Sequence, residues 1–350
     1  MNPEAAIAIN EYYFEQGWAD GLPVIPPTPK RLDAFLATTK RSSNEVLWRM
    51  DAVGRECTVE LAAINAILAG CRPEYFPVVL AAFEAVVDEG AAIFGAWQST
   101  TGGGPLLIVN GPMRHTLGFN SGGNVLGPGF RANATVGRAI RLIIANVFGL
   151  RPHELDQATQ GTPGRYTLCI AENEEASPWE PLHVQLGYQP EDTVVSAVHV
   201  RSCDFLDNRQ TDNPEHLLND LVDTVHRTGV MVRPQQWAVL ILGPEHAHLL
   251  ARHGWSKRDV QQYVFEHAGH TAAELAAVGK DGIERPIGFV RPATEEERKG
   301  WSADEWRPYL RSPDDVLVVV AGANNAGVST IAQPFSNRRR FPGRAKVEAS

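Results

Sequence analysis

Three carboxylates, those of Glu172, Glu174 and Glu175, follow the predicted strand 165–171 and fall within four residues of one another. Held this close they repel, so the group either takes up a proton or recruits a cation or an arginine. Either outcome suits general acid–base catalysis or metal ligation. An exposed acidic loop is the alternative interpretation. Trp179 and the two prolines beside it give the segment burial and rigidity, which favours the functional interpretation.

A divalent metal is one way to hold these carboxylates together, and Glu180 and His183 would then be the natural additional ligands. No HxxxH or HExxH pattern accompanies them, so zinc is not specifically indicated. The chain also carries no nucleotide, flavin or haem signature, because its glycine spacing matches neither the Walker pattern nor GxGxxG in a strand–turn–helix context. The sequence therefore leaves the cofactor open.

A glycine-rich loop over 111–129 leads into a predicted helix that begins at Arg131. Such a loop leaves backbone amides free and directs the positive end of the helix at one spot. The Arg131 guanidinium could donate a bidentate pair of hydrogen bonds to a carboxylate or phosphate, and Asn133 would add a neutral hydrogen-bonding group. The alternative is a tight turn in which Arg131 pairs with an acidic residue.

A second glycine loop precedes the apolar strand predicted at 105–110. Sheets of alternating strands and helices collect ligands at their strand ends, so this loop could also place amides against a carboxylate. The two loops together give the predicted substrate-binding residues: Thr100, Thr101, Gly102, Gly103, Asn120, Ser121, Arg131 and Asn133.

A candidate nucleophile is Cys71, which precedes a predicted helix and lies beside Arg72. That position is expected to lower the thiol pKa and favour a reactive thiolate. A small buried side chain at a helix junction is the equally common alternative. The four cysteines show no CxxC or zinc-type spacing, which is typical of free thiols in a reducing compartment.

The elements that must position these residues alternate between helix and strand. Helices are predicted at 3–17, 29–39, 58–68, 73–88, 131–148, 214–227 and 256–267, and strands at 92–97, 105–110, 165–171, 193–200, 237–242 and 315–321. This alternation predicts an α/β or α+β fold, a mixed sheet with flanking helices in two intertwined lobes. Residues 1–190 would hold the helical N-terminal part with the glycine and acidic loops, and residues 191–350 would form a second α/β lobe.

The composition restricts the kinds of partner. The chain has 350 residues, of which 43% are hydrophobic and 21% charged, so it can bury a substantial core. Its net charge of −9 lacks the basic excess expected of a nucleic-acid or membrane-surface binder. No apolar run reaches the roughly 20 residues that span a bilayer. The first ten residues carry no targeting pattern, which predicts a cytoplasmic location.

Four windows of the sequence resemble an uncharacterised bacterial family: 20–28, 69–75, 122–138 and 166–182. That family is associated with small thiol or selenol proteins that carry a UGSC motif, and this chain itself has no such motif. The resemblance implies that the four windows belong together in one protein architecture that carries a functional site. It implies no reaction, cofactor or catalytic residue.

Together these observations favour an enzyme that acts on a small anionic, carboxylate-like molecule. Carboxylate acid–base chemistry without a nucleotide or flavin site indicates a lyase, a hydratase or a hydrolase. A Cys71-dependent thiol reductase is one alternative, and a non-catalytic ligand-binding or scaffold subunit is another. A homo-oligomer or a small thiol-protein partner also stays open.

Overall fold

Helices and strands alternate along the chain in the computed structural model, which describes residues 3–90, 95–230, 236–284, 290–291, 293–335 and 339–348. The helices are α1 (Pro3–Glu15), α2 (Pro29–Leu36), α3 (Val59–Ala69), α4 (Phe76–Glu89), α5 (Met113–Thr116), α6 (Arg131–Asn146), α7 (Leu182–Gln185), α8 (Pro214–His226), α9 (Pro244–Arg252), α10 (Lys257–His267), α11 (Ala272–Ala277) and α12 (Glu295–Arg298). The strands are β1 (Val46–Met50), β2 (Arg55–Thr58), β3 (Gly104–Asn110), β4 (Cys169–Ala171), β5 (Val194–Asp207), β6 (Ala238–Leu242), β7 (Gly269–Thr271), β8 (Ile283–Glu284), β9 (Val290–Arg291), β10 (Trp306–Pro308), β11 (Val316–Val320), β12 (Val328–Pro334) and β13 (Gly343–Lys346).

The chain divides into two units, each built from separate segments. Unit 1 comprises Met1–Glu174, Glu180–Arg201 and Asn337–Ser350, and unit 2 comprises Glu175–Trp179 and Ser202–Ser336. Each unit is therefore built from more than one stretch of the chain.

Seven strands take part in parallel and antiparallel pairs of a mixed sheet. In unit 1, β3 pairs parallel with β4 and antiparallel with β5, and β13 pairs antiparallel with β5. In unit 2, β6 pairs parallel with β11 and antiparallel with β12. The predicted α/β or α+β class is therefore confirmed.

Local signals account for the helices that precede the site. The Thr58 hydroxyl accepts a hydrogen bond from the Leu61 amide at 3.2 Å, which caps α3. Gly70 then ends that helix with a φ of +91°, a conformation that glycine adopts without a Cβ penalty. The helix predicted over 58–68 is confirmed.

One face of the unit 1 strands packs against α3, α4 and α6. Leu107 and Val109 of β3, with Cys169 and Ala171 of β4, are buried in the same apolar cluster as those helices. Side chains alternate across a strand, so Asn110, at the end of β3, belongs to the opposite face. That face of the strand ends carries the polar residues described below.

Two predicted strands differ from the structure. Of the strand predicted at 92–97, residues 92–94 lie outside the described residues, and Ala96–Gln98 form one turn of 3₁₀ helix. Of the strand predicted at 165–171, only Cys169–Ala171 is extended, because a 3₁₀ turn over Pro163–Arg165 begins at a proline that fixes φ. Among the described helices, none is long and apolar enough to cross a membrane.

Candidate active site at the ends of strands β3 and β4

The centre of the site is a hydrogen bond between Asn110 and Glu172. Val109 is paired with Ala171 in the parallel register, so the residues that follow them, Asn110 and Glu172, are neighbours. The Asn110 amide nitrogen donates to Glu172 Oε2 at 2.6 Å, and both side chains are completely buried. Parallel strands bring their carboxyl ends to one edge of a sheet, which is where ligands of such sheets bind.

Glu174 joins the same cluster through one oxygen. Its Oε1 accepts hydrogen bonds from the Gly111 amide at 2.7 Å and from Asn110 Nδ2 at 3.1 Å. Arg114 Nε lies 3.0 Å from that oxygen, and the Arg114 side chain is only 3% exposed. Glu174 itself is 13% exposed, so this ion-paired carboxylate reaches the surface of the cluster.

Glycine is required where the chain leaves β3. Gly111 has a φ of +87°, and a Cβ there would lie 2.1 Å from the Asp192 carbonyl oxygen. No other residue fits this turn without displacing the backbone beside it. The turn directs the Gly111 amide at Glu174, so the backbone conformation itself supplies one of the donors.

His183 faces Glu174 from the short helix α7. The His183 ring is completely buried, and its Nε2 lies 3.4 Å from the Pro190 carbonyl oxygen. A carbonyl only accepts, so this contact is a hydrogen bond when Nε2 carries a ring proton. His183 Nδ1 lies 4.0 Å from Glu174 Oε1, too far for a direct hydrogen bond. A bridging donor or a small side-chain movement would connect the two.

Glu172 positions α7. Its Oε2 also accepts a hydrogen bond from the Leu182 amide, at 2.7 Å, on the first residue of that helix. The same carboxylate therefore ties the end of β3 to the element that carries His183. Glu172 is a positioning residue, whereas Glu174 is the carboxylate with accessible surface.

The other acidic candidates differ from Glu172 and Glu174 in exposure. Glu175 belongs to unit 2 and is exposed, and Glu180 in unit 1 is exposed as well. Within the part of the chain that the structure describes, no three His, Cys, Asp or Glu side chains converge to hold a metal ion.

Asn133 holds the long glycine loop against β4. Its Nδ2 donates to the carbonyls of Asn120 at 3.0 Å and Cys169 at 3.1 Å, and its Oδ1 accepts from the Asn120 amide at 2.8 Å. The Asn120 side chain in turn accepts from the Gly122 amide at 3.0 Å. Ser121 follows Asn120 and is half-buried. Asn120 and Asn133, both predicted to bind substrate, thus form hydrogen bonds within the chain.

Arg131 caps α3. Its Nε and one terminal nitrogen donate to the Gly70 carbonyl at 3.0 and 2.9 Å. The carbonyls that end a helix lack intrahelical donors, and a guanidinium group satisfies them well. The donors predicted to bind an anion are thus directed at a backbone carbonyl, and the alternative pairing with an acidic residue is not seen among the described residues.

The loop predicted to bind substrate before β3 packs against its own chain. The Thr100 carbonyl accepts a hydrogen bond from the Thr159 amide at 2.9 Å. The Thr101 hydroxyl lies 2.7 Å from that of Ser99. These two threonines hold the loop in place through contacts inside unit 1.

The glycines of this loop are explained by close backbone contact. A Cβ on Gly102 would lie 2.6 Å from Gly161 Cα, and a Cβ on Gly103 would lie 2.5 Å from the Val200 carbonyl oxygen. Both positions are buried. The signal that predicted amides directed at a ligand is therefore a packing signal at these two positions.

Cys71 is not an activated thiolate. Burial raises its pKa to about 12 and outweighs the opposing effects of Thr135, Arg131 and Arg138. Burial, together with the nearby Cys71, raises the pKa of Cys169 as well. The prediction of a lowered Cys71 pKa is wrong, because loss of hydration destabilises the thiolate more than the neighbouring arginines stabilise it.

Asn110 and Arg114 are two residues of the site that the sequence did not predict. Asn110 was included in the apolar strand, although a polar residue at the last position of a buried strand is a recognisable site signal. Arg114 lies on the four-residue helix α5, and its role depends on a carboxylate distant in the sequence.

In comparisons with known proteins, no family model, curated protein or solved structure matches the chain.

Proposed function

We propose that this chain is an acid–base enzyme acting on a small carboxylate-like molecule, with Glu174 and His183 as its proton-transfer pair. The observation that carries the proposal is the placement of Glu174 Oε1, which accepts two hydrogen bonds and forms an ion pair with Arg114, 4.0 Å from His183 Nδ1. A carboxylate and an imidazole this close could exchange protons with neighbouring atoms of one substrate.

Glu174 is the proposed base. Among the described residues, the hydrogen bonds from Asn110 and the Gly111 amide and the ion pair with Arg114 all involve the same oxygen, Oε1. The lone pairs of Oε2 are then left for a substrate C–H or for water. The Glu174 side chain is 13% exposed, whereas Glu172 is completely buried and is already bonded to Asn110 and the Leu182 amide.

His183 is the proposed acid. In a dehydration, Glu174 would remove a proton from the carbon beside the substrate carboxylate, and the electron pair of that C–H bond would form the new C=C bond. The C–O bond of the neighbouring carbon would break, and protonated His183 would give its proton to the departing hydroxyl, which leaves as water. Addition of water is the same sequence reversed, which is why a lyase or hydratase is favoured.

A hydrolase could use the same pair, since Glu174 could take a proton from water while His183 protonates a leaving group. The free state of all four cysteines supports a reducing, cytoplasmic location for either reaction.

A substrate panel tests the proposal. The purified chain is incubated with 2- and 3-hydroxycarboxylic acids, unsaturated acids and carboxylate esters, and products are followed by ultraviolet absorbance and proton NMR. Glu174→Gln is expected to lose turnover by roughly 10²–10⁴-fold, the usual contribution of a positioned acid or base. Glu180→Gln, an exposed glutamate nearby in sequence, is the matched control and is expected to keep wild-type turnover. Equal turnover in Glu174→Gln and wild type would reject the proposal.

A further inference from the structure

A cavity of about 950 Å³ lies in unit 1, away from the residues of the Glu174 cluster. It is formed by the end of α1 and the residues after it, by α6, and by the loop over 151–166. None of its lining residues belongs to the proposed proton-transfer site. Its volume lies within the range of pockets that hold small organic ligands.

Two arginines in this cavity share one carboxylate. Arg141 Nη2 lies 2.9 Å from Asp156 Oδ2, and Arg165 forms an ion pair with the same oxygen. The Asp156 side chain is only 2% exposed, and its Oδ1 accepts a hydrogen bond from the Ala158 amide. One carboxylate offsets one of the two guanidinium groups, so a positive charge is left over. Burial, followed by the charge of Arg165, lowers the pKa of Arg141, in keeping with this excess.

Arg151 adds a second positive charge to the same cavity. It forms no ion pair with any described residue, and its Nε is buried without a hydrogen-bond partner there. The guanidinium group packs on Gly17, where a Cβ would lie 3.1 Å from a terminal nitrogen. A buried donor of this kind is costly unless a ligand or water satisfies it.

The acidic residues of the lining do not cancel this charge. Asp20 is already engaged by Arg138, which donates to both of its oxygens at 2.9 and 2.7 Å. Glu15 and Glu154 are exposed, and solvent screens their charges. Apolar side chains complete the lining and would contact the body of a ligand: Phe14, Ala19, Ala145, Pro152, Pro163 and Tyr166.

We infer that this cavity binds a small organic dianion, either a phosphate monoester or a dicarboxylate. Arg141, Arg151 and Arg165 carry three positive charges against the one negative charge of Asp156, an excess of two. A phosphate monoester carries about −1.5 to −2 charges at neutral pH, and guanidinium groups bind phosphate and carboxylate oxygens in pairs. The inference does not depend on the proposed reaction, because the cavity contains neither Glu174 nor His183.

Calorimetry with phenyl phosphate, inorganic phosphate and succinate tests this inference. Wild type is expected to bind phenyl phosphate or succinate, more weakly as salt concentration rises. Arg151→Gln removes no ion pair and is expected to weaken binding at least about tenfold, the effect of losing one charge-assisted hydrogen bond. Arg49→Gln is the matched control, since Arg49 is an exposed arginine of unit 1 outside the cavity. The relative affinity for the two organic probes identifies which dianion is preferred.

A labelling experiment on the wild-type chain makes the test independent of variant folding. Phenylglyoxal modifies arginines, and peptide mapping reports each site. The bound probe is expected to protect Arg151 and to leave Arg49 unprotected. Absence of binding by all three probes, equal affinity in Arg151→Gln, or unprotected Arg151 would each overturn the inference. Glu174→Gln is expected to bind the probe as wild type does, which separates this result from the fate of the proposed reaction.

Discussion

Asn110 and Glu172 are 62 positions apart in the sequence, yet the side-chain amide of the first donates to the buried carboxylate of the second at 2.6 Å. The parallel pairing of β3 with β4 creates this contact, since it places the last residue of one strand beside the residue that follows the other. The same amide reaches Glu174, so one nitrogen joins both carboxylates of the proposed site.

Asn110→Leu tests that bridging role. Leucine is similar in size to asparagine but donates no hydrogen bond, so both carboxylates lose a buried donor. We expect the free energy of unfolding to fall by about 1.5–3 kcal/mol or more, the usual cost at a charged partner. Urea unfolding measures this change, with the exposed Asn44→Ala as control. Equal unfolding midpoints for the two variants would show that the amide has no bridging role.

Asp156 predicts how stability depends on pH. Burial opposes ionisation, but the hydrogen bond from Arg165, that from the Ala158 amide and the two arginine charges together lower its pKa. The unfolded chain therefore binds this proton more readily than the folded chain does. The resulting stability is complete above the ordinary aspartate pKa of about 4 and is lost as the pH falls through the lower folded value.

Asp156→Asn should remove this component. Urea unfolding at a series of pH values is expected to show a smaller acid-induced loss of stability in the variant, so that the wild-type and variant curves converge at low pH. Parallel curves for the two proteins over the whole acid range would contradict the prediction.

Cys71 should react slowly as long as the chain is folded. Its pKa is raised to about 12 by burial, so almost no thiolate is present near neutral pH. Iodoacetamide labelling followed by mass mapping is expected to modify the exposed Cys203 first and Cys71 only after unfolding. Native labelling of Cys71 as fast as that of Cys203 would revive the thiol-reductase alternative, as would loss of turnover in Cys71→Ser.

Gly137→Ala tests the contact of α6 with the segment that leads into β4. Alanine is favoured over glycine in a helix by about 1 kcal/mol, but a Cβ here would lie 2.4 Å from Thr167 Oγ1 and 3.0 Å from the Leu168 nitrogen. We expect the clash to prevail and the melting temperature to fall. Adding Thr167→Ala to the Gly137→Ala protein removes the closest atom and should restore part of the lost melting temperature.

The control for this prediction is Gly300→Ala, where an added Cβ would meet no atom within 4 Å. Scanning calorimetry of the three variants measures the changes. A Gly137→Ala protein as stable as the control would mean that α6 does not need glycine for close packing.

The sequence predicted the elements better than the site. The cap at Thr58 and the stop at Gly70 are local signals, so α3 was predicted correctly. Glu172 and Glu174 were also selected, because adjacent carboxylates after an apolar strand are visible within one segment.

The rest of the site depends on long-range pairing. The β3–β4 register decides that Asn110 joins Glu172, and no local pattern reports it. Gly102 and Gly103 were predicted to present amides to a ligand, and the structure shows that neighbouring backbone leaves no room for a Cβ at either position. The sequence cannot distinguish these two reasons for a glycine. Arg131 was misassigned for a similar reason: its partner is a carbonyl at the end of another helix.

Hydrogen exchange at the substrate carbon tests the Glu174–His183 proposal most directly. The hydroxycarboxylic acids of the panel are incubated with the chain in deuterated buffer, and proton NMR follows loss of the hydrogen beside the carboxylate. The proposal predicts exchange of at least one acid by wild type and by Glu180→Gln, and exchange at least about 100-fold slower in Glu174→Gln. Exchange at the wild-type rate in Glu174→Gln, or no exchange of any panel acid by wild type, would contradict it.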